Sequence, residues 1–190
     1  MEESLKRNHH FIVALVAALL IVGWIVLLLF VSPTEIVTFV GVQNAYFIAF
    51  IFAASAGVST FTSASFYALI STFALGGTSP WLLGIAGGVG LFISNALFYF
   101  LFLHGKHLVT GRLSHWIESF TVRINHYPTW AVLSVVYLYS GFTPLPDDIL
   151  VAALALSSYS FVRFGPVLFL GNVTLITLIG LLTQYGFSVV

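Results

Sequence analysis

Residues 141–156 read GFTPLPDDILVAALAL. Two prolines and two adjacent acids stand between apolar blocks, at 129–141 and 149–162. Pro144 and Pro146 cannot sit in a helix interior without cost, so the backbone breaks here. Neither flanking block is long enough to cross a bilayer, which takes about 20 apolar residues. Short apolar helices around a polar break fit a hairpin that enters a membrane and turns back, its break buried in protein rather than in lipid. A pair of strongly tilted full spans is the competing reading.

The rest of the chain supports a membrane setting. Of 190 residues, 59% are hydrophobic and only 6% are charged. A soluble domain carries roughly 25% charged residues, so an independently soluble fold is excluded. Long unbroken apolar runs argue against a β-barrel, whose strands alternate. The net charge of zero argues against nucleic acid as a partner. Cysteine is absent, which excludes disulfides and Cys-ligated metals. The class is all-α and polytopic.

Working outward from 141–156, residues 165–187 form a full-length span, with Pro166 in its first turn. On the other side, 104–128 is the one extended polar stretch. Trp116, Ile117 and Phe120 interleave there with Arg112, His115, Glu118 and Arg123, the pattern of an amphipathic interfacial segment. Residues 81–103 form another full span, entered through Gly84, Gly87, Gly88 and Gly90, which permit close helix approach. GGTSP (76–80) marks a turn. Before it lie two short blocks, about 42–57 and 66–77, around the hydroxyl-rich GVSTFTSAS (57–65). Pro33 opens a short interfacial segment containing Glu35. Phe11–Val31 is an uncharged run of 21 residues, long enough to cross. A cleaved signal peptide is its competing reading, disfavoured by the length of the run. Residues 1–10 are a polar tail.

Two repeats emerge. Residues 58–105 lie on 139–186 without a gap at an offset of 81, matching Ser59 with Ser140, Phe61 with Phe142, Thr62 with Thr143, Leu75 with Leu156, Gly90 with Gly171 and Gly105 with Gly186. The first repeat is 32–103, with a hairpin at about 42–77 and a span at 81–103. The second is 129–187, with a hairpin at about 129–162 and a span at 165–187. Lys106, Arg112 and Arg123 against one Glu118 place 104–126 on the cytoplasmic side. The halves then point in opposite directions, giving inverted repeats of a broken or re-entrant helical hairpin followed by a transmembrane helix.

Asp147 and Asp148 are the leading candidates. One reading makes Asp147 a helix N-cap, with Asp148 favoured by the positive helix end. The other starts from cost, because carboxylates held within a membrane line pathways or exchange protons. Arg163, closing the same short block, is either a snorkelling anchor or a phosphate-binding guanidinium. Ser63 and Ser65 in the first break satisfy freed backbone groups or meet a ligand. Asn95 and Asn172, inside the two spans, are inter-helix glue or cavity lining. His104, His107, His115 and His126 match no zinc spacing, so no metal or other cofactor is expected. No nucleophile–base set is assembled, so no enzyme is expected and no catalytic residue is assigned.

FTPLPDDILVAALAL (142–156) and GLFISNALFYFLFLHGKHLVTG (90–111) are similar to motifs of the DedA / SNARE-associated Golgi protein (VTT-domain) superfamily. The resemblance implies two facing re-entrant hairpins and movement of lipids, prenyl phosphates or phospholipids, across a cell membrane. It places Asp147 or Asp148 at the acidic position and Arg163 at a phosphate contact. The first hairpin departs from the motif, with Ser63 and Ser65 and no acid. RFGP (163–166) meets half of the family's arginine signature. The expected function is a flippase or scramblase for a lipid or lipid phosphate, coupled to protons through the acids. The alternatives are a membrane organiser, its glycine faces serving homo-oligomerisation, and a small-solute or ion transporter.

Overall fold

The computed structural model describes residues 32–56, 60–105, 122, 124 and 126–186, with the backbone alone for 56 and 60–64. The crossing expected at 11–31, the tail and most of the 104–128 segment lie outside these residues. Within them the protein is all-α, an integral multi-pass membrane protein with two long apolar helices and a bent helix pair.

Helix α1 (Pro33–Val40) starts on a reciprocal cap. Ser32 Oγ accepts from Glu35 N–H at 3.2 Å, and Glu35 Oε2 accepts from Ser32 N–H at 2.8 Å. Donation to the Glu35 carboxyl from the Ser32 backbone N–H foremost, and then from the Ser32 side chain, holds that carboxyl below the usual carboxylate range. Pro33 fills the first helical position, where its missing N–H costs nothing. Gly41, at φ +84°, then turns the chain by 95° into α2 (Val42–Ala56).

Helix α2 and α3 (Thr60–Leu75) form an antiparallel hairpin. At its base the Tyr46 hydroxyl accepts from Ser79 N–H at 2.9 Å, and farther in Phe52 stacks on Phe66. The second hairpin is α5 (Thr129–Phe142) and α6 (Asp148–Leu156). The four arms hold 15, 16, 14 and 9 residues. At 1.5 Å per residue the longest is about 24 Å, short of the roughly 30 Å of hydrocarbon. Among the described residues, only α4 (Pro80–Gly105) and α7 (Phe161–Gly186), with 26 residues each, exceed that thickness.

The second arms end alike. Gly77 N–H bonds Ala74 C=O and Thr78 N–H bonds Phe73 C=O. Ser158 N–H bonds Ala155 C=O and Tyr159 N–H bonds Leu154 C=O. Both are Schellman terminations, with Gly77 at φ +91° and Ser158 at φ +56° in the left-handed position. Leu75 and Leu156, Gly77 and Ser158, and both ends of α4 and α7 all correspond at the offset of 81.

The long helices are antiparallel and in contact throughout. A Cβ on Gly84 would strike Thr177, and one on Gly88 would strike Val173; Gly180 lies on Pro80. Farther along, Phe92 meets Phe169, Tyr99 meets Phe164 and Phe100 meets Phe161. The hairpins are exchanged between the halves: α2 packs on α4 and α3 on α7, while α5 packs on α7 and α6 on α4. One apolar cluster centres on Phe66, Phe73, Leu83 and Ile176, the other on Val136, Leu154, Phe164 and Leu168.

The depth of each hairpin follows from two glycines. Gly90, near the middle of α4, abuts Ala53 and Ala54 of α2; Gly171, near the middle of α7, abuts Ser140 and Gly141 of α5. Each hairpin therefore runs along half of a long helix and turns back. Because α4 and α7 are antiparallel, the hairpins enter from opposite ends and reach one level. This is the inverted arrangement expected from the sequence.

Two expectations need correction. The ungapped alignment fails in the first arms, where Ala53 pairs with Ser140 and Ala54 with Gly141, an offset of 87. The second hairpin is six residues shorter, so Phe61–Thr62, which start α3, are not equivalent to Phe142–Thr143, which end α5. Nor does Arg163 close the short helix. The Schellman turn stops α6 at Leu156, and Arg163 lies in the first turn of α7, with Pro166 inside that helix.

Candidate functional site

The connection 143–147 carries Pro144 and Pro146 and delivers Asp147 to the start of α6. Asp147 is not the capping residue that one reading expected. Its backbone is already helical, at φ −67° and ψ −18°, and its carboxylate makes no capping bond. A cap needs extended backbone to aim the side chain at its own helix end. Asp147 turns its carboxylate to α4 instead, where Asn95 Nδ2 donates to Oδ2 at 3.4 Å.

Asn172 approaches the same carboxylate from α7, but not in bonding geometry; its Nδ2 is buried without a hydrogen-bond partner. Asn95 and Asn172 are 2% and 1% exposed. Buried amides in a membrane interior are costly unless satisfied. Here two of them, from antiparallel helices, are gathered beside one acid. Asp147 and Asp148 are themselves half-buried.

Two tyrosines complete the cluster, and the sequence reading missed both. Tyr139 closes the second hairpin by donating from its hydroxyl to Pro146 C=O at 3.1 Å. Tyr67, on α3 of the other hairpin, lies within electrostatic range of Asp147, Asp148 and Tyr139. The site thus draws on both hairpins and both long helices. No local sequence signal marks either tyrosine.

The other candidates are placed as follows. Ser65 is half-buried in α3, and the side chain of Ser63 lies outside the described residues. Arg163 is exposed, and all of α6 separates it from Asp147 in the chain. It stands eight residues before Gly171, about 12 Å along α7, so the fold does not bring guanidinium and acids together. His107 and His115 lie outside the described residues, among which no group of three or more His, Asp or Glu side chains converges.

Chemically the cluster offers two carboxylates, amide donors and phenol hydroxyls, at the level where the two hairpins meet. No family model, curated protein or solved structure matches the chain.

Proposed function

We propose that this protein is a translocase for a membrane amphiphile in the cell membrane. The headgroup passes the meeting level of the two hairpins while the apolar part stays in lipid. The observation that carries this reading is the convergence of Asp147, Asn95 and Asn172 there. Three polar or acidic groups gathered near the midpoint of two long apolar helices cost stability, and such groups mark pathways.

In this reading, Asp147 and Asp148 exchange a proton with the headgroup or with water as it passes. Asn95 holds the Asp147 carboxylate in place between passages. Tyr139 fixes the hairpin turn, so that the acids keep their position on α6. Half-depth hairpins leave polar backbone only at their tips, which confines the polar route to one level. The similarity of 142–156 to the DedA superfamily motif points the same way and is itself part of the proposal.

The organiser reading relied on free glycine faces. Gly84 and Gly88 pack on α7, and Gly87 meets Ile176 and Phe66, so that surface is used inside the chain. A pathway for ions rather than lipids, the charged form of the small-solute reading, would carry membrane current.

The test is headgroup movement in proteoliposomes, using labelled phospholipid and labelled prenyl phosphate across a pH step. Wild type should move one of them, and D147N/D148N should lose the movement while remaining folded. Equal movement by both proteins overturns the role of the acids. Current without lipid movement favours the small-solute reading.

A further inference from the structure

One donor in the cluster has no partner, and its chemistry narrows the headgroup. Asn172 is 1% exposed, and its Nδ2 makes no hydrogen bond. It lies beside the Asp147 carboxylate without bonding it. Helix α7 is not free to slide and close that gap. Gly171, the preceding residue, is pressed against Ser140 and Gly141, and Thr174 Oγ1 is 3.2 Å from the Tyr137 hydroxyl. These contacts pin α7 to α5 on both sides of Asn172. A buried donor left unpaired costs its full desolvation, and such a group calls for an explanation. The partner it calls for is an acceptor.

The acids set the second condition. Asp147 accepts one bond, from Asn95 at 3.4 Å. A carboxylate has sites for about four, so Asp147 takes further donors, and Asp148 beside it is a second carboxylate. The sole Lys or Arg among the described residues is Arg163, exposed and beyond the far end of α6, so no basic side chain there supplies those donors. A ligand that meets both conditions accepts from Asn172 and donates to Asp147. An ammonium only donates and leaves the amide unpaired. An ionised phosphate or an ether oxygen only accepts, and the phosphate adds like charge beside two acids in low dielectric. A hydroxyl does both from one atom.

We infer that the headgroup is a polyol, one hydroxyl accepting from Asn172 Nδ2 and donating to the Asp147 carboxylate, and a neighbouring hydroxyl donating to Asp148. The inference rests on the translocase reading and specifies its cargo. A polyol is neutral where it meets the acids, so no basic side chain is required at the tip. The acids are half-buried while the amide is closed off, so the headgroup meets the carboxylates first and gains the amide as the tip yields. Both a phospholipid esterified to a polyol and a sugar-bearing lipid present such a head.

The experiment follows three labelled lipids in proteoliposomes of phosphatidylcholine, whose headgroup has no hydroxyl. Phosphatidylglycerol and glucosyl diacylglycerol carry the polyol. Phosphatidylmethanol has the phosphate and charge of phosphatidylglycerol and no hydroxyl. At least one polyol lipid should move about tenfold faster than phosphatidylmethanol, the worth of one hydrogen bond to a charged group; which of the two does so separates the phospholipid source from the sugar source. Asn172→Leu removes an unsatisfied donor, so it should fold as well as wild type, and it should cut that advantage by about fivefold. A second readout is independent of transport. With isotope-labelled asparagine in phosphocholine micelles, the Asn172 side-chain amide, assigned by its loss in Asn172→Leu, should shift with short-chain phosphatidylglycerol or octyl glucoside and not with short-chain phosphatidylmethanol. The inference is overturned if phosphatidylmethanol moves as fast as both polyol lipids, or if the amide responds to none of the probes, which would make water its partner. An amide that responds to polyols, in a protein that moves no lipid, would leave the site standing and sink the translocase reading. Movement that depends on the acids, with no preference for hydroxyls, would do the reverse.

Discussion

Gly90→Ala tests the depth of the first hairpin. The added Cβ would lie 2.7 Å from the Ala53 Cβ and 2.9 Å from the Ala54 backbone nitrogen, and it would strike the Phe50 carbonyl oxygen. Carbon atoms pack best about 3.5–4.0 Å apart, so α2 must retreat by roughly 1 Å. Two of the three obstacles are backbone, and no rotamer relieves them. A gap of about 0.5–1 Å forfeits a quarter to a half of each contact's attraction. Overpacking of this kind typically costs 1–3 kcal/mol. Alanine returns up to about 1 kcal/mol through helix propensity, leaving a net loss of about 1–2 kcal/mol. That is a factor of roughly 5–30 in the folded-to-unfolded ratio. Gly105→Ala is the control, because nothing lies within 4 Å of its Cβ; its effect should stay within about 0.5 kcal/mol. Equilibrium unfolding in mixed micelles of SDS and a non-ionic detergent measures both. If Gly90→Ala unfolds at the same SDS fraction as Gly105→Ala, α2 does not approach α4 at that level.

Further outcomes follow from the same geometry. Gly171→Ala should cost about 1 kcal/mol, less than Gly90→Ala, because Ser140 can swing aside by giving up its bond to Val136; unfolding in the same micelles ranks the two. Tyr139→Phe removes the bond to Pro146 and should lower stability by about 1 kcal/mol, with faster hydrogen exchange in the first turn of α6 as the readout. Asn95→Leu leaves the Asp147 carboxylate without its donor and should abolish movement in proteoliposomes at a folding cost of about 1–3 kcal/mol; full movement by the variant would remove Asn95 from the site. The Glu35 carboxyl sits below its ordinary range, so its contribution to the α1 cap is present above the ordinary carboxylate pKa and is lost as pH falls through the lowered value. NMR titration in micelles should show this, and Ser32→Ala should return Glu35 toward the ordinary range.

Part of this architecture is written plainly in the sequence. The scarcity of charge decides the membrane class, and Pro144, Pro146 and the paired acids locate one hairpin break. The offset of 81 is legible from Leu75 onward, because glycine and chain-reversal positions leave marks even in apolar segments: Gly90 with Gly171, Gly105 with Gly186. Helix ends and registers inside those segments are not legible. Lipid and protein core are both apolar, so no polar face reveals which way a helix looks. The matched Phe–Thr pairs therefore hid a six-residue difference between the hairpins. Arg163 invited a boundary because it is charged, whereas the true end of α6 is set by backbone bonds around Ser158. Asp147 looked like a cap in sequence; only its helical backbone angles send the carboxylate to Asn95. Tyr67 and Tyr139 carry no motif, and their role depends on two hairpins meeting, which no local pattern encodes.

The central claim is that the tip of the second hairpin reaches the middle of α4 and sets Asp147 against Asn95. The chain has no cysteine, so paired substitutions report without background. Asn95→Cys with Asp147→Cys, treated in membranes with a one-carbon bis-methanethiosulfonate, should give a cross-linked chain. Arg163→Cys with Asp147→Cys should not. Failure of the first pair to cross-link while the second does so would place the acids at the far end of α6 and contradict the account.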